Sequence, residues 1–189
     1  NNMQLIQNST IDVGASTTLN STGIISGDFT YVGAQTGLTK TGLGTLVLGG
    51  TNTYLGTTSI NAGILSISSD ANLGSTGGLN ILPGGITFNG GILRVTEDMT
   101  TNRVITMTGV GSISVKVGKT LTINGITGNN TGLLTFNGGG TAILNGNQTG
   151  LNLHDSIAIS NGATVMTQAT GGTPFGDGAA NTVTINGGS

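Results

Sequence analysis

Residues Leu38 to Ile67 read LTKTGLGTLVLGGTNTYLGTTSINAGILSI, and the pattern returns later in the same chain. From Leu134 the sequence runs LTFNGGGTAILNGNQTG, and from Ile157 IAISNGATVM. Leu38, Thr39, Gly42, Gly44, Thr45, Leu48 and Gly50 fall on Leu134, Thr135, Gly138, Gly140, Thr141, Leu144 and Gly146, an offset of 96 (134 − 38 = 96). Ile60 and Gly63 meet Ile159 and Gly162 at 99, and Leu73-Gly74 meets Phe175-Gly176 at 102. An offset that grows by a few residues at each turn marks a solenoid, whose turns accept insertions while its stacked strands do not. The repetition points to an elongated architectural chain, not a globular enzyme.

The composition agrees. Charged residues make up 6 % of the 189 positions, against about a quarter in an average globular protein, so Asn, Thr, Ser and Gln must form the surface. The hydrophobic fraction of 35 % arrives in short bursts of Ile, Leu and Val, which disordered chains lack. Net charge is −2, and the cations are Lys40, Arg94, Arg103, Lys116 and Lys119. Read along the sequence they are too few and too scattered to neutralise a run of phosphates, which argues against nucleic acid as a partner. No apolar run approaches the roughly 18 residues of a membrane span, so membrane insertion by this segment is not expected. The start, NNMQLIQNST, lacks the basic and apolar regions of a signal peptide. With no cysteine, an extracellular form must draw its stability from repetitive packing, not disulfides.

Almost every segment reads as a short strand closed by a Gly or Asn-Gly turn. TLVLGG (Thr45 to Gly50), GILSIS (Gly63 to Ser68), ILRVT (Ile92 to Thr96), KTLTING (Lys119 to Gly125) and TAILNG (Thr141 to Gly146) set the style. Apolar and β-branched residues alternate with Thr, Ser or Asn, the period of a strand with one buried face. On that alternation Leu46, Leu48, Ile60, Leu65, Ile67, Ile123, Ile143 and Ile159 are expected to point inward and stack in columns. Asn-Gly between strands is also a hairpin signal, which keeps an antiparallel β-sandwich as the alternative fold. A sandwich does not ordinarily produce an internal copy about 100 residues on with the same strand order. A right-handed parallel β-helix does, with two or three strands per coil and Gly or Asn at its corners. At roughly 20–25 residues per coil the chain makes about eight coils and extends about 40 Å. We expect a single β-helix segment over 1–189, with related copies at about 38–85 and 134–188.

The first copy also resembles the passenger-associated transport repeat of bacterial autotransporters. Leu38, Lys40, Gly42, Gly44, Leu46, Leu48, Asn52, Tyr54, Gly56, Gly63 and Leu65 sit on the pattern of that family. The second copy departs from it, with Phe136 in place of Lys and Gly150 in place of Tyr. The resemblance implies a right-handed parallel β-helix of bacterial origin, displayed outside the outer membrane.

Candidate chemistry is sparse. Val117-Gly118-Lys119-Thr120 ends like a phosphate loop, but Ile113 stands where the loop needs its first Gly. Arg94, Glu97, Asp98 and Arg103 form the densest polar cluster. Adjacent carboxylates on a strand point apart, and glycan cleavage needs a positioned pair, so the cluster reads as a loop-borne ion-pair patch. His154-Asp155 lacks partners for a triad or a zinc site. Asp28, Asp70 and Asp177 read as turn formers, and the sequons at Asn8, Asn20, Asn129 and Asn147 arise easily in such a chain. Thr-x-Thr at Thr106-Thr108, Thr120-Thr122 and Thr182-Thr184 does not recur at one coil period. We therefore expect no catalytic residue, no metal and no cofactor. The functional expectation is a structural, surface-exposed β-helix segment of a bacterial extracellular protein: a stalk, adhesive passenger or fibre-forming unit. Its expected partners are neighbouring β-helix segments or copies of itself end to end, with host or matrix glycans or proteins besides. The alternatives are a carbohydrate-active β-helix enzyme and a surface-binding module working through Thr and Asn ladders.

Overall fold

The structure is a computed structural model that describes residues 1–27, 35–75, 84–124, 127–128, 132–145, 150–151, 157–168 and 183–185. Its spine is an eight-strand ladder. In spatial order the strands are Thr18–Ser21, Thr45–Leu48, Ile64–Ile67, Ile92–Val95, Gly111–Val115, Leu134–Asn137, Ile157–Ile159 and Val183–Ile185. A second ladder stacks Ser9–Asp12, Leu38–Thr41, Thr58–Ile60, Ile86–Phe88 and Ile105–Met107. A third stacks Met99–Thr101, Thr120–Ile123, Thr141–Asn145 and Thr164–Gln168. Two short pairs, Met3–Leu5 with Ile25–Gly27 and Thr127–Gly128 with Gly150–Leu151, complete the described strands.

All these pairings are parallel, apart from an isolated bridge between Lys116 and Gly139 at a corner. The antiparallel sandwich is thereby excluded, and the fold is a parallel β-helix. The chain visits the ladders in turn and returns to each one rung higher. Coil length runs from 19 residues, Thr45 to Ile64, to 29, Ser9 to Leu38. Strand positions stay in register while the corners absorb this variation, as at Gly42, Gly63 and Gly138, whose φ values of 71°, 63° and 98° suit a residue without a Cβ.

The two matching stretches do not occupy equivalent faces. Leu38–Thr41 lies in the five-strand ladder and Thr45–Leu48 in the eight-strand one, whereas Leu134–Asn137 lies in the eight-strand ladder and Thr141–Asn145 in the four-strand one. Their likeness is that of one glycine corner to another, not of one whole coil to another.

Alternation builds the core. Leu46, Leu65, Leu93, Ile113 and Phe136 stack rung upon rung down the eight-strand ladder, each 2 % exposed or less. Leu48, Ile67, Val95 and Val115 form a second column beside them. Burying each such side chain stabilises the fold by about 1.5–3 kcal/mol. Ile60 and Ile123 are buried as expected, and Ile159 is partly buried against the core. Ile143 is a correction: in Thr141–Asn145 the inward residues are Ala142 and Leu144, and Ile143 faces outward.

Candidate functional site

Several side chains with polar chemistry go inward, and they gather around the stretch that resembles the transport repeat. Lys40 continues the strand alternation of Leu38, so it enters an aliphatic column between Ile11 and Ile60 and is fully buried. Its ammonium donates to the carbonyls of Thr41 at 2.5 Å, Gly42 at 2.7 Å and, one coil on, Ala62 at 3.3 Å. The cation thus caps a corner from inside. Burial lowers its pKa from the usual lysine value, and the carboxylate of Asp12 partly opposes that shift.

Tyr54 is also fully buried, its hydroxyl 2.7 Å from Thr58 Oγ1. Burial pushes the phenol up to about 12, against smaller opposing effects of that hydrogen bond and of Arg103. Asn52 spans coils: its Oδ1 accepts from Ile25 N at 2.7 Å and its Nδ2 donates to Asn72 O at 2.5 Å. Asn72 continues the seam, donating to Gly50 O at 2.9 Å and accepting from Ser68 N and Ser69 N at 3.0 and 2.9 Å. The contacts of Asn52 and Asn72 satisfy backbone groups at the corners.

Arg103 is the strongest tie. It is 1 % exposed, with Nε donating to Asp70 Oδ1 at 2.9 Å. Its Nη1 donates to Gly84 O at 2.8 Å, and its Nη2 to Asp70 O and Gly74 O, both at 3.0 Å. Asp70 opens a short 3-10 turn, Asp70–Leu73, capped by Ser69. It is more than a turn former.

The predicted cluster of Arg94, Glu97, Asp98 and Arg103 is therefore split. Glu97 pairs with Lys119 at 2.6 Å, which holds its carboxyl below the usual range and raises the lysine in turn. Asp98 Oδ1 accepts from Thr120 N at 2.7 Å, and Arg94 is exposed on its strand. The two carboxylates are thus engaged separately. Of the cations, Lys40 and Arg103 are buried, Arg94 stands on the strand Ile92–Val95, and Lys116 and Lys119 follow the next rung, Gly111–Val115. Val117 and Gly118 form the turn before Thr120–Ile123, with Gly118 at φ 74°. His154, Asp155, Asp28, Asp177, Asn129 and Asn147 lie outside the described residues.

The outer faces carry two columns that sequence spacing had hidden. On the five-strand ladder Thr10, Thr39, Ser59, Thr87 and Thr106 occupy matching rungs. Beside the four-strand ladder Asn124 donates to Asn102 at 2.9 Å and Asn145 donates to Asn124 at 3.2 Å. Uneven coil lengths put register partners at irregular sequence intervals, so a search for one fixed period misses them. Of the Thr-x-Thr pairs, by contrast, Thr106, Thr120 with Thr122, and Thr184 fall on three different ladders, and Thr182 lies outside the described residues.

Among the described residues no three acidic, histidine or cysteine groups gather in a way that would hold a metal ion. What the geometry defines is a parallel β-helix whose polar residues tie coil to coil and whose surface is largely hydroxyl and amide. Comparison with known proteins agrees. The passenger-associated-transport-repeat family matches residues 38–67. Over 165 residues the chain is 38 % identical to the adhesin BmaC autotransporter of Brucella suis biovar 1 (strain 1330), an alignment covering 87 % of this chain and 4 % of that protein. The chain thus spans a small fraction of the length of the curated relative it matches. No solved structure matches the chain. The chain carries a passenger-associated transport repeat and over most of its length is similar to an autotransporter adhesin, a likeness that places it outside the cell, at the cell surface.

Proposed function

We propose that this chain is a non-catalytic shaft segment of an adhesive passenger, a stack of coils that holds contact faces away from the cell. The observation that carries the reading is the eight-strand parallel ladder, along which side chains of successive coils repeat in register. The rigidity of the shaft comes from its cores and from the internal ties of Lys40, Asn52, Asn72 and Arg103. Glu97 and Asp98 serve the fold, which supports a role without turnover.

The shaft reading extends to its partners. Leu19 is the register partner of Leu46, yet it is 46 % exposed where Leu46 is fully buried. Met3, the register partner of buried Ile25, is likewise 44 % exposed, so apolar side chains lie open at the first rung. That surface suits the apolar face of another coil, from a neighbouring β-helix segment or a second copy of this chain.

The test is to fuse the segment to a heterologous translocator and display it on a bacterium that does not otherwise adhere. Displayed cells should bind matrix-coated or glycan-coated surfaces better than cells carrying the translocator alone, and should release no reducing ends from polysaccharides. Release of reducing ends that disappears with Glu97→Gln would refute the non-catalytic reading.

A further inference from the structure

We propose that the five-strand face holds a seat for one neutral sugar ring, where three successive coils arrange Asn8, Gln35, Thr39, Thr57 and Ser59 around a floor of Gly37 and Gly56. The inference rests on the passenger reading and adds to it the site and the ligand class. The depression measures about 220 Å³. That is below the roughly 300–1,000 Å³ of a site for a drug-sized ligand, and it suits a single ring.

The floor is bare for a packing reason. A Cβ on Gly37 would stand 2.5 Å from Thr57 O, and one on Gly56 would stand 2.6 Å from Gly37 N. Neither position can carry a side chain, so the face is recessed there.

Those walls are chemically unspent. Asn8 uses its Oδ1 to accept from Gly37 N at 2.8 Å, which fixes the side chain and leaves its amide N–H groups outward. Among the described residues the side chains of Gln35, Thr39, Thr57 and Ser59 make no hydrogen bond. Elsewhere some outer polar residues are engaged with the protein itself, whereas among the described residues Thr10, Thr87 and Thr106 on the same column make no side-chain hydrogen bond, so it is the recess that marks the seat. Thr41 donates to Asp12 at 2.8 Å, Thr108 donates to Phe88 O at 3.1 Å, and the Asn102, Asn124 and Asn145 amides bond one another.

Spacing and charge select the ligand. Thr39 and Ser59 are register partners, so their hydroxyls stand one rung apart, about 4.8 Å. Thr57 and Ser59 alternate along one chain at about 6.6 Å. Such a triangle reaches across the hydroxyls of one pyranose. No charged side chain lines the depression, which disfavours an anionic or cationic ligand. Nor does an aromatic or aliphatic anchor of the kind that gives a peptide its affinity. Binding to one ring is accordingly weak, and affinity grows where a polymer meets many displayed copies.

Saturation-transfer difference NMR on the full 189-residue chain tests this, with methyl β-D-glucopyranoside, methyl β-D-galactopyranoside and methyl α-D-mannopyranoside as probes. At least one should receive saturation. The combined Thr39→Val and Ser59→Ala variant should weaken that binding about tenfold, as expected for two lost hydroxyl contacts. Thr122→Val, on another ladder, should leave it unchanged with the same circular dichroism. If the double variant misfolds, Thr57→Lys, at an exposed position, should block the seat in a folded chain. No transfer to any of the three sugars, or transfer that survives these substitutions in a folded chain, overturns the proposal. Displayed cells that still adhere after the seat is blocked would sink the seat and leave the shaft reading standing.

Discussion

Arg103 Nε lies 2.9 Å from Asp70 Oδ1 across 33 positions of sequence, and the same guanidinium binds the carbonyls of Gly74 and Gly84. One side chain therefore fastens backbone from neighbouring coils inside the molecule.

Replacing it shows what that fastening contributes. Arg103→Met keeps much of the volume but strands the Asp70 carboxylate and several carbonyls. The expected cost is about 3–5 kcal/mol, the usual result of breaking one side of a buried pair. Urea unfolding followed by circular dichroism reads it, and an unchanged midpoint would show that the tie does not stabilise the fold.

Lys40→Met tests the inner cap in the same way. It removes donors from Thr41, Gly42 and Ala62 carbonyls and should destabilise by about 1–3 kcal/mol. Lys119→Met, which breaks the exposed pair with Glu97, should leave the melting temperature unmoved. Equal effects of the two lysines would contradict the burial contrast.

Ile123 and Ile143 separate inside from outside. Ile123→Asp places an unpaired charge in the core and should unfold the coils around it. Ile143→Asp, one strand position before Leu144, the register partner of Ile123, faces outward and should fold normally. Cooperative melts at wild-type temperature for both would argue against these columns.

The buried phenol gives an alkaline signature. Tyr54 keeps its proton to about 12 when folded and to the ordinary value of 10.0 when unfolded. Between those values the unfolded chain has released the proton and the folded chain has not. Stability from this group is complete below about pH 10 and falls as pH rises toward 12, by about 2–3 kcal/mol in all. Denaturation at stepped pH should show the fall in the native chain and its loss in Tyr54→Phe.

Much of the fold is legible in the sequence because strand alternation and glycine corners are local. Leu46, Leu48, Leu65 and Ile67 are placed by that rule alone. The misreadings have identifiable signals. Ile143 lies 96 positions after Val47, an outward residue, so the internal match itself assigns it to the surface. Lys40 follows Leu38 by two and shares its inward side, which charge alone disguises. Arg103 has no such signal, because its partners Asp70, Gly74 and Gly84 come from other coils. The hydroxyl column is hidden for a related reason, since register depends on corner lengths that vary from coil to coil.

The parallel stack itself is tested most directly by distances along the eight-strand ladder. Thr18, Ser112 and Thr135 occupy matching outer positions on its first, fifth and sixth strands. Spin labels on cysteines at Thr18 and Ser112 should lie about 19 Å apart, and labels at Thr18 and Thr135 about 24 Å apart, at about 4.8 Å per rung. Double electron–electron resonance measures both pairs in a chain that has no native cysteine to interfere. A separation that grows by one rung supports the stacked coils, and a Thr18–Thr135 distance equal to or shorter than the Thr18–Ser112 distance contradicts them.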